Sequence, residues 1–487
     1  MPAAAASPAP AEPGPPANEK DVLRQRTADL NAADYQWLCG AGRFGQAPEH
    51  TVEPFPGVRV TLVQDGRESD KGTITWTGHV KGAPQEAAVI SARHVCAPAR
   101  GTTPVVDGLV HVGARAYHLT TLPGERARVR VSEEDPHARR HPTPDNAVLD
   151  QHGARELRDS LKHRAPASAD APVVIDVLAG YTPAAVQRLG SEQAMLTRLR
   201  LAESYMNQAL ADSDVAASID IVDSYDTGYR GDQTARRMLD KLSRPDDPEL
   251  GEAAHRRREQ LGVDLVTVIN DVPDGSSGQG SLPTRGRMDS ELAYSAVDVQ
   301  SLTEWYNLGH EIGHNLGMFH DRATLERQVP GGYEQLLNSP SGTGWITPRR
   351  DHHTLMAYAE SCGGLCTPVN QYSNTENMVE GQPLGDARNN NAALARRTTP
   401  VVADYRALKV QRARHRLTLG AGPNGTLRPA VHGPYTPGST VAVTAEPAYG
   451  YHVGAWLVDG RRHGITDEHV TVTMDRPHTL KAVFTRS

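Results

Sequence analysis

Three histidines, His310, His314 and His320, are spaced so that their rings can meet on one ion. His310 and His314 are four apart, which on a helix puts both on one face, a single turn from each other. Gly317 can take the left-handed conformation that ends a helix, and the chain can then turn sharply and bring His320 back as a third nitrogen ligand. Three protein ligands leave the fourth position of a tetrahedral metal open. That arrangement separates catalytic from structural zinc, because a water bound there has its pKa lowered from about 15.7 to about 7. Glu311 is next to His310 but about 100° round the helix, so its carboxylate can take a proton from that water without ligating the metal, then pass it to a leaving amine. One Zn2+ ion is the cofactor these residues call for, and they leave Ca2+ unknown.

The spacing demands a helix. Ser301 followed three residues later by Glu304 forms a capping box that predicts its start, and Leu302, Trp305, Ile312 and Leu316 recur at helical spacing as its buried face. A bare HExxH occurs on many helices as solvated or packed histidines, but the stretch here reads HExxHxxGxxHD in full, and Thr354-Leu355-Met356-Ala357-Tyr358 follows a loop rich in Gly, Pro and Ser.

On those residues the chain resembles the metzincin zinc metallopeptidases, in a bacterial reprolysin (adamalysin)-like form near the peptidyl-Asp metallopeptidases. The resemblance implies zinc ligation by His310, His314 and His320, general base catalysis by Glu311 and a hydrophobic floor from Met356. It gives Asp321 a hydrogen-bonding role that orients the ligands, as such outer residues do. Tyr358, two after the methionine, follows the astacin and serralysin pattern, in which that tyrosine approaches the metal or the tetrahedral oxyanion. Ordinary packing is the other reading of Tyr358.

The 487 residues suggest two to four domains, and a large core is available. A net charge of −7, with no basic stripe collecting the 51 Lys and Arg, argues against a nucleic-acid partner. No run approaches the ~18 apolar residues of a membrane helix. Residues 1–20 are rich in Pro and Ala without an intact signal peptide; they read as a disordered lead-in, just past a removed export signal.

Residues 22–38 predict a short helix, and from about 58 to 131 five stretches alternate apolar and polar between Gly-bearing turns. Residues 21–136 therefore read as a β-rich domain. Its looser resemblance to segments that precede the catalytic domain in bacterial relatives implies a prodomain, with a substrate-binding module as the alternative. Residues 137–171, with Lys162, His163 and Arg164, form a linker with a possible processing site.

The catalytic domain, 172–410, is expected to open on a buried strand at 173–178, followed by a helix capped by Ser191 and lined by Leu196, Leu199, Ala202, Met206 and Ala209. Strands at 218–223 and 264–269 with a helical pair between them make the layout α/β. Residues 278–282 lie where the family's edge strand sits, and an extended peptide adding to that edge gains backbone hydrogen bonds. A strand at 293–299 and a closing helix at 391–408 complete the domain.

Cys362 and Cys366 are expected to form a local disulfide or to remain free thiols; Cys39 and Cys96 to pair with each other, or one of them to ligate the zinc as a cysteine switch. Residues 411–487 show clean period-two alternation, with Trp456 and Phe484 in the expected core. Residues 435–441, 449–451, Trp456 and 481–484 resemble the internalin-type B-repeat, which implies a spacer or a module that binds a surface or matrix ligand.

The fold class expected is thus an α/β (α+β) metzincin catalytic domain with an N-terminal β-rich prodomain and a small all-β C-terminal domain. The function expected is a secreted zinc endopeptidase made as a zymogen, acting on protein or peptide substrates. An adhesion or matrix-binding protein on a catalytically silent scaffold is the alternative, which an intact Glu311 disfavours.

Overall fold

The computed structural model describes residues 22–135, 148–149 and 172–487, apart from positions 43, 46, 97, 99, 100, 114, 123, 125, 126 and 274. The expected lead-in at 1–20 and most of the linker, with the possible processing site, lie outside the described residues. The fold is mixed α/β with a β-rich N-terminal region and an all-β C-terminal region.

The α/β region is built on five strands that alternate their side chains between two helical layers. Ala217–Asp226, Val173–Tyr181, Leu265–Asn270 and Tyr294–Asp298 lie side by side in parallel, Gly278–Leu282 follows antiparallel to Tyr294–Asp298, and the two-residue strand Val148–Leu149 lies beyond it. Ile175, Val177 and Ala179 point to one face and share a core with the helices Glu192–Asp212 and Asn307–Asn315. Leu178, Val266 and Val268 point to the other and pack against Ala235–Leu242 and Gly251–Leu261. Burial on both faces explains why Val173–Tyr181 and Leu265–Asn270 are nearly continuous apolar runs. Ser191 caps its helix as expected, its hydroxyl accepting from the Ala194 N–H. Leu196 is only half-buried, and the closing helix stops at Val402.

The N-terminal region departs from expectation at its start. Residues 22–38 are not one helix: Val22–Asp29 is a strand paired antiparallel with Arg128–Glu134, and only Ala32–Cys39 is helical, as a 3-10 helix. A helical period over so few residues is a weak preference, and the backbone of Arg128–Glu134, otherwise an open sheet edge, supplies the hydrogen bonds that override it. The remaining strands form an antiparallel meander from Val58–Asp70 to Arg128–Glu134, with Glu49–Phe55 folded back on Val58–Asp70. Cys39 and Cys96 are disulfide-bonded across a separation of 57 residues, so neither is a free thiol able to serve as a switch.

This sheet is fused to its neighbours. Val89, Val105, Leu109 and Ala116 join the same hydrophobic core as the helix Glu192–Asp212, so that helix is covered from both sides. Arg198 on it forms a buried ion pair with Asp107 of the N-terminal sheet, and His118 lies 3.4 Å from Asp107 and 3.5 Å from Glu134. Around the same seam, Asp70 pairs with Arg200 at 2.8 Å and Arg412 at 3.2 Å, and Arg412 also reaches Asp220 at 2.7 Å. At its far edge, Val58–Asp70 pairs with Thr440–Pro447, which carries the N-terminal sheet into the C-terminal region.

The buried His118 gives this seam a pH dependence. Burial lowers its pKa, but hydrogen bonds to Asp107 and Glu134 outweigh that and raise it from 6.5 to about 9. A group whose pKa rises on folding contributes its stability in full below the unfolded value of 6.5, and loses it as the pH climbs through about 9. The contribution is at most about 3 kcal/mol. The thermal unfolding midpoint is expected to fall over that interval, and His118→Gln to flatten the slope; an unchanged slope in the variant would remove His118 from the account.

In the C-terminal region the expected strands are present, with Gly425–Pro429 and Arg461–His463 in addition. Trp456 is fully buried in its core and Phe484 packs half-buried against it. No helix among the described residues is long and apolar enough to cross a membrane.

Candidate metal centre

The helix bearing His310 and His314 does not run unbroken from Ser301. A single turn, Ser301–Glu304, is followed by Tyr306 at φ 54°, and a second helix, Asn307–Asn315, then begins. The expected capping box is replaced: the Asp298 carboxylate accepts from the N–H groups of Gln300 and Ser301 and from the Ser301 hydroxyl at 3.0–3.1 Å. Tyr306 is held in its left-handed conformation by distant contacts. Its ring packs edge-on against Tyr205 at 5.1 Å, and its hydroxyl lies 3.2 Å from Nε2 of His111 in the N-terminal sheet. Trp305, expected on the buried face, is half-exposed at the break.

Beyond the break the motif behaves as its spacing requires. Gly317 sits at φ 83°, turning the chain so that His320 returns to the first two histidines. Nε2 of His320 lies 3.2 Å from Nε2 of His310 and 3.0 Å from that of His314. Each ring's Nδ1 is committed elsewhere: His310 donates to the Leu355 carbonyl at 2.7 Å, His314 to the Met318 carbonyl at 3.0 Å, and His320 to the Gln328 side-chain oxygen at 3.1 Å. A carbonyl oxygen only accepts, so the proton of each neutral ring is on Nδ1 and the three Nε2 lone pairs face one another. Three converging lone pairs repel unless a cation lies between them. Tetrahedral zinc with bonds of about 2.0–2.1 Å places its nitrogens about 3.4 Å apart, close to the spacing seen, so the donor set fits that ion.

Glu311 is fully buried, and its Oε1 accepts from the Asn307 amide at 3.0 Å. The edge strand passes beside it, since a Cβ on Gly278 would stand 2.5 Å from the same oxygen. Beneath the helix Met356 is fully buried, and a Cβ on Gly313 would come within 2.6 Å of its sulfur, so only glycine allows that approach. The Tyr358 hydroxyl lies 3.4 Å from His310 Nε2, with its ring against His310 and His320 at centroid distances of 5.2 and 5.0 Å.

Asp321 ties these pieces together. Its carboxylate accepts from the Thr324 N–H at 3.0 Å, the Thr324 hydroxyl at 2.7 Å, the Ser361 hydroxyl at 2.7 Å and the Tyr358 N–H at 3.2 Å. It thereby caps the helix Arg322–Gln328, which carries Gln328, and fixes the loop that carries Tyr358. Cys362 and Cys366 close that loop as a disulfide. Asp321→Ala is expected to strand these donors, at about 1–3 kcal/mol for each left unpaired and less than their sum, and to weaken metal binding roughly 10- to 100-fold. Metal titration of the variant against wild type measures this, and equal affinity would contradict it.

The structure brings the five residues expected at the site, His310, Glu311, His314, His320 and Tyr358, together. Asn307 and Gln328 escaped sequence reading, because an isolated amide carries no spacing signal. A second group within ligand distance, Asp351, His352 and Glu380, is exposed or half-exposed, and Arg349 lies 3.1 Å from Asp351 and 3.6 Å from Glu380 as the countercharge.

Residues 171–390 match the metallopeptidase family M12B, reprolysin-like, and residues 415–487 match the divergent InlB B-repeat domain. The chain thus matches the metallopeptidase family across the three histidines and Glu311, and the B-repeat domain across its C-terminal strands. It is similar to peptidyl-Asp metalloendopeptidases from two strains of Stenotrophomonas maltophilia. One is 27% identical over 76% of this chain and 86% of the relative, the other 26% identical over 72% and 81%. A peptidyl-Asp metalloendopeptidase of Xanthomonas campestris is 26% identical over 58% of this chain and 63% of its own length.

Proposed function

We propose that the chain is a secreted zinc-dependent metalloendopeptidase of metzincin type, with His310, His314 and His320 as ligands and Glu311 as general base. The observation that carries this reading is the convergence of three Nε2 atoms whose Nδ1 protons are all committed to oxygen acceptors. Zinc bound there supplies Lewis acidity, polarising the scissile carbonyl and acidifying a water. Glu311, held by Asn307, takes the proton of the attacking water and delivers it to the leaving amine. Tyr358, from its place beside His310, donates to the developing oxyanion. The edge strand Gly278–Leu282 aligns an extended peptide by backbone pairing. The relatives' name supports cleavage at aspartyl residues.

Two features support synthesis as a zymogen. Val148–Leu149, within the 137–171 linker, pairs in parallel with Ser281 and Leu282, so the chain's own segment occupies the edge a substrate would take. The N-terminal sheet is docked on the helix Glu192–Asp212, through a core shared with it and the Arg198–Asp107 pair. Cutting the linker therefore releases the edge but not the N-terminal sheet. Limited proteolysis is expected to raise casein cleavage while the two fragments co-elute on size exclusion, and mass mapping of the products to place cuts at aspartate. Casein left intact before and after the cut, by protein that contains zinc, would overturn the reading. The C-terminal region serves as a spacer or as a module for a surface or matrix ligand.

A further inference from the structure

The N-terminal sheet curves around a cavity of about 320 Å³ that none of the peptidase chemistry uses. Its floor is aliphatic, formed by Ile90, Val110, Val129 and Val131, all buried. One wall is aromatic: Trp37 stacks on His50 at 4.2 Å with an interplanar angle of 10°, and Tyr35 and Tyr117 also line the space. Asp29 and Asp34, both exposed, stand at its mouth; Glu53, also exposed there, is already engaged by the Gly57 N–H at 2.7 Å and by Arg59 at 3.8 Å. The one guanidinium among the lining residues, Arg26, is turned to the backbone, donating to the carbonyls of Pro54 and Glu53.

Protein interiors are close-packed, and a space of this size lies within the range of small-molecule pockets. A cavity of about 150 Å³ takes benzene, so this one accommodates an apolar body of roughly 12 non-hydrogen atoms. Carboxylates at the mouth repel an anion and attract a cation, and aromatic faces add to the attraction for an ammonium group. We propose that this cavity is a binding site for a small amphiphile with an apolar chain and a cationic ammonium head, the chain lying on Val110 and Val129 and the head at Asp29 and Asp34. The site belongs to the N-terminal sheet and is independent of the metal centre.

Calorimetric titration of the full chain with decyltrimethylammonium and with decanoate, each below its micellar concentration, tests this. Decyltrimethylammonium is expected to bind once per chain and at least about tenfold more tightly than decanoate. Val129→Phe, which fills the floor, is expected to remove binding without lowering casein cleavage. The exposed pair Asp29→Asn with Asp34→Asn keeps the test open even if Val129→Phe fails to fold, and is expected to collapse the preference between the two heads. No saturable binding to wild type, equal affinity for both heads, a preference that survives the double substitution, or undiminished binding by folded Val129→Phe would each overturn the proposal.

Discussion

Glu311→Gln is expected to leave the metal in place and to lower turnover by about 10²- to 10⁴-fold, the usual contribution of a positioned acid–base group. The substitution keeps the shape of a fully buried side chain and can retain the hydrogen bond with Asn307. An amide cannot accept and return the proton. Metal binding is spared because the three Nδ1 protons go to Leu355, Met318 and Gln328, none of which depends on Glu311. Rate should therefore fall at unchanged zinc content, and a variant that cleaves at the wild-type rate would remove Glu311 from the mechanism.

His314→Ala is expected to lose both metal and turnover. It deletes one of three convergent nitrogens, 3.0 Å from His320, and leaves a hole in a completely buried layer. Since metal binds the folded chain in preference to the unfolded one, the loss also appears as a lower thermal midpoint, and chelation of the wild type should produce part of the same fall. Full zinc occupancy in this variant would sink the ligand assignment.

What the sequence made legible was what is local. The three histidines lie within eleven residues and need only a helical turn and one left-handed glycine to meet, and Tyr358 follows the methionine by two. Val173–Tyr181 and Leu265–Asn270 could be read because burial on both faces leaves an apolar run. What escaped depends on partners far away in sequence. Tyr306 breaks the helix because Tyr205 and His111 hold it, the latter 195 residues distant. Val22–Asp29 is a strand because Arg128–Glu134 lies beside it. Asp298 took the place of the capping box through its position at the end of the preceding strand. The joining of Val58–Asp70 to Thr440–Pro447 links opposite ends of the chain, and no local pattern announces it.

The same long-range packing gives the N-terminal sheet its place in the account. It contributes His111 to the bend that precedes the histidine helix and shares a core with the helix behind it. Its removal is therefore expected to disturb the geometry of the centre as well as to free surface, which is why the proposed cut is in the linker and the fragments stay together.

The central claim is that three neutral imidazoles converge to hold one zinc ion. Elemental analysis of the purified full chain tests it most directly, alongside His314→Ala prepared in the same way. About one zinc per wild-type chain and a near absence in the variant are expected. A wild-type chain that takes up no zinc from zinc-containing buffer, or a variant that retains it in full, would contradict it.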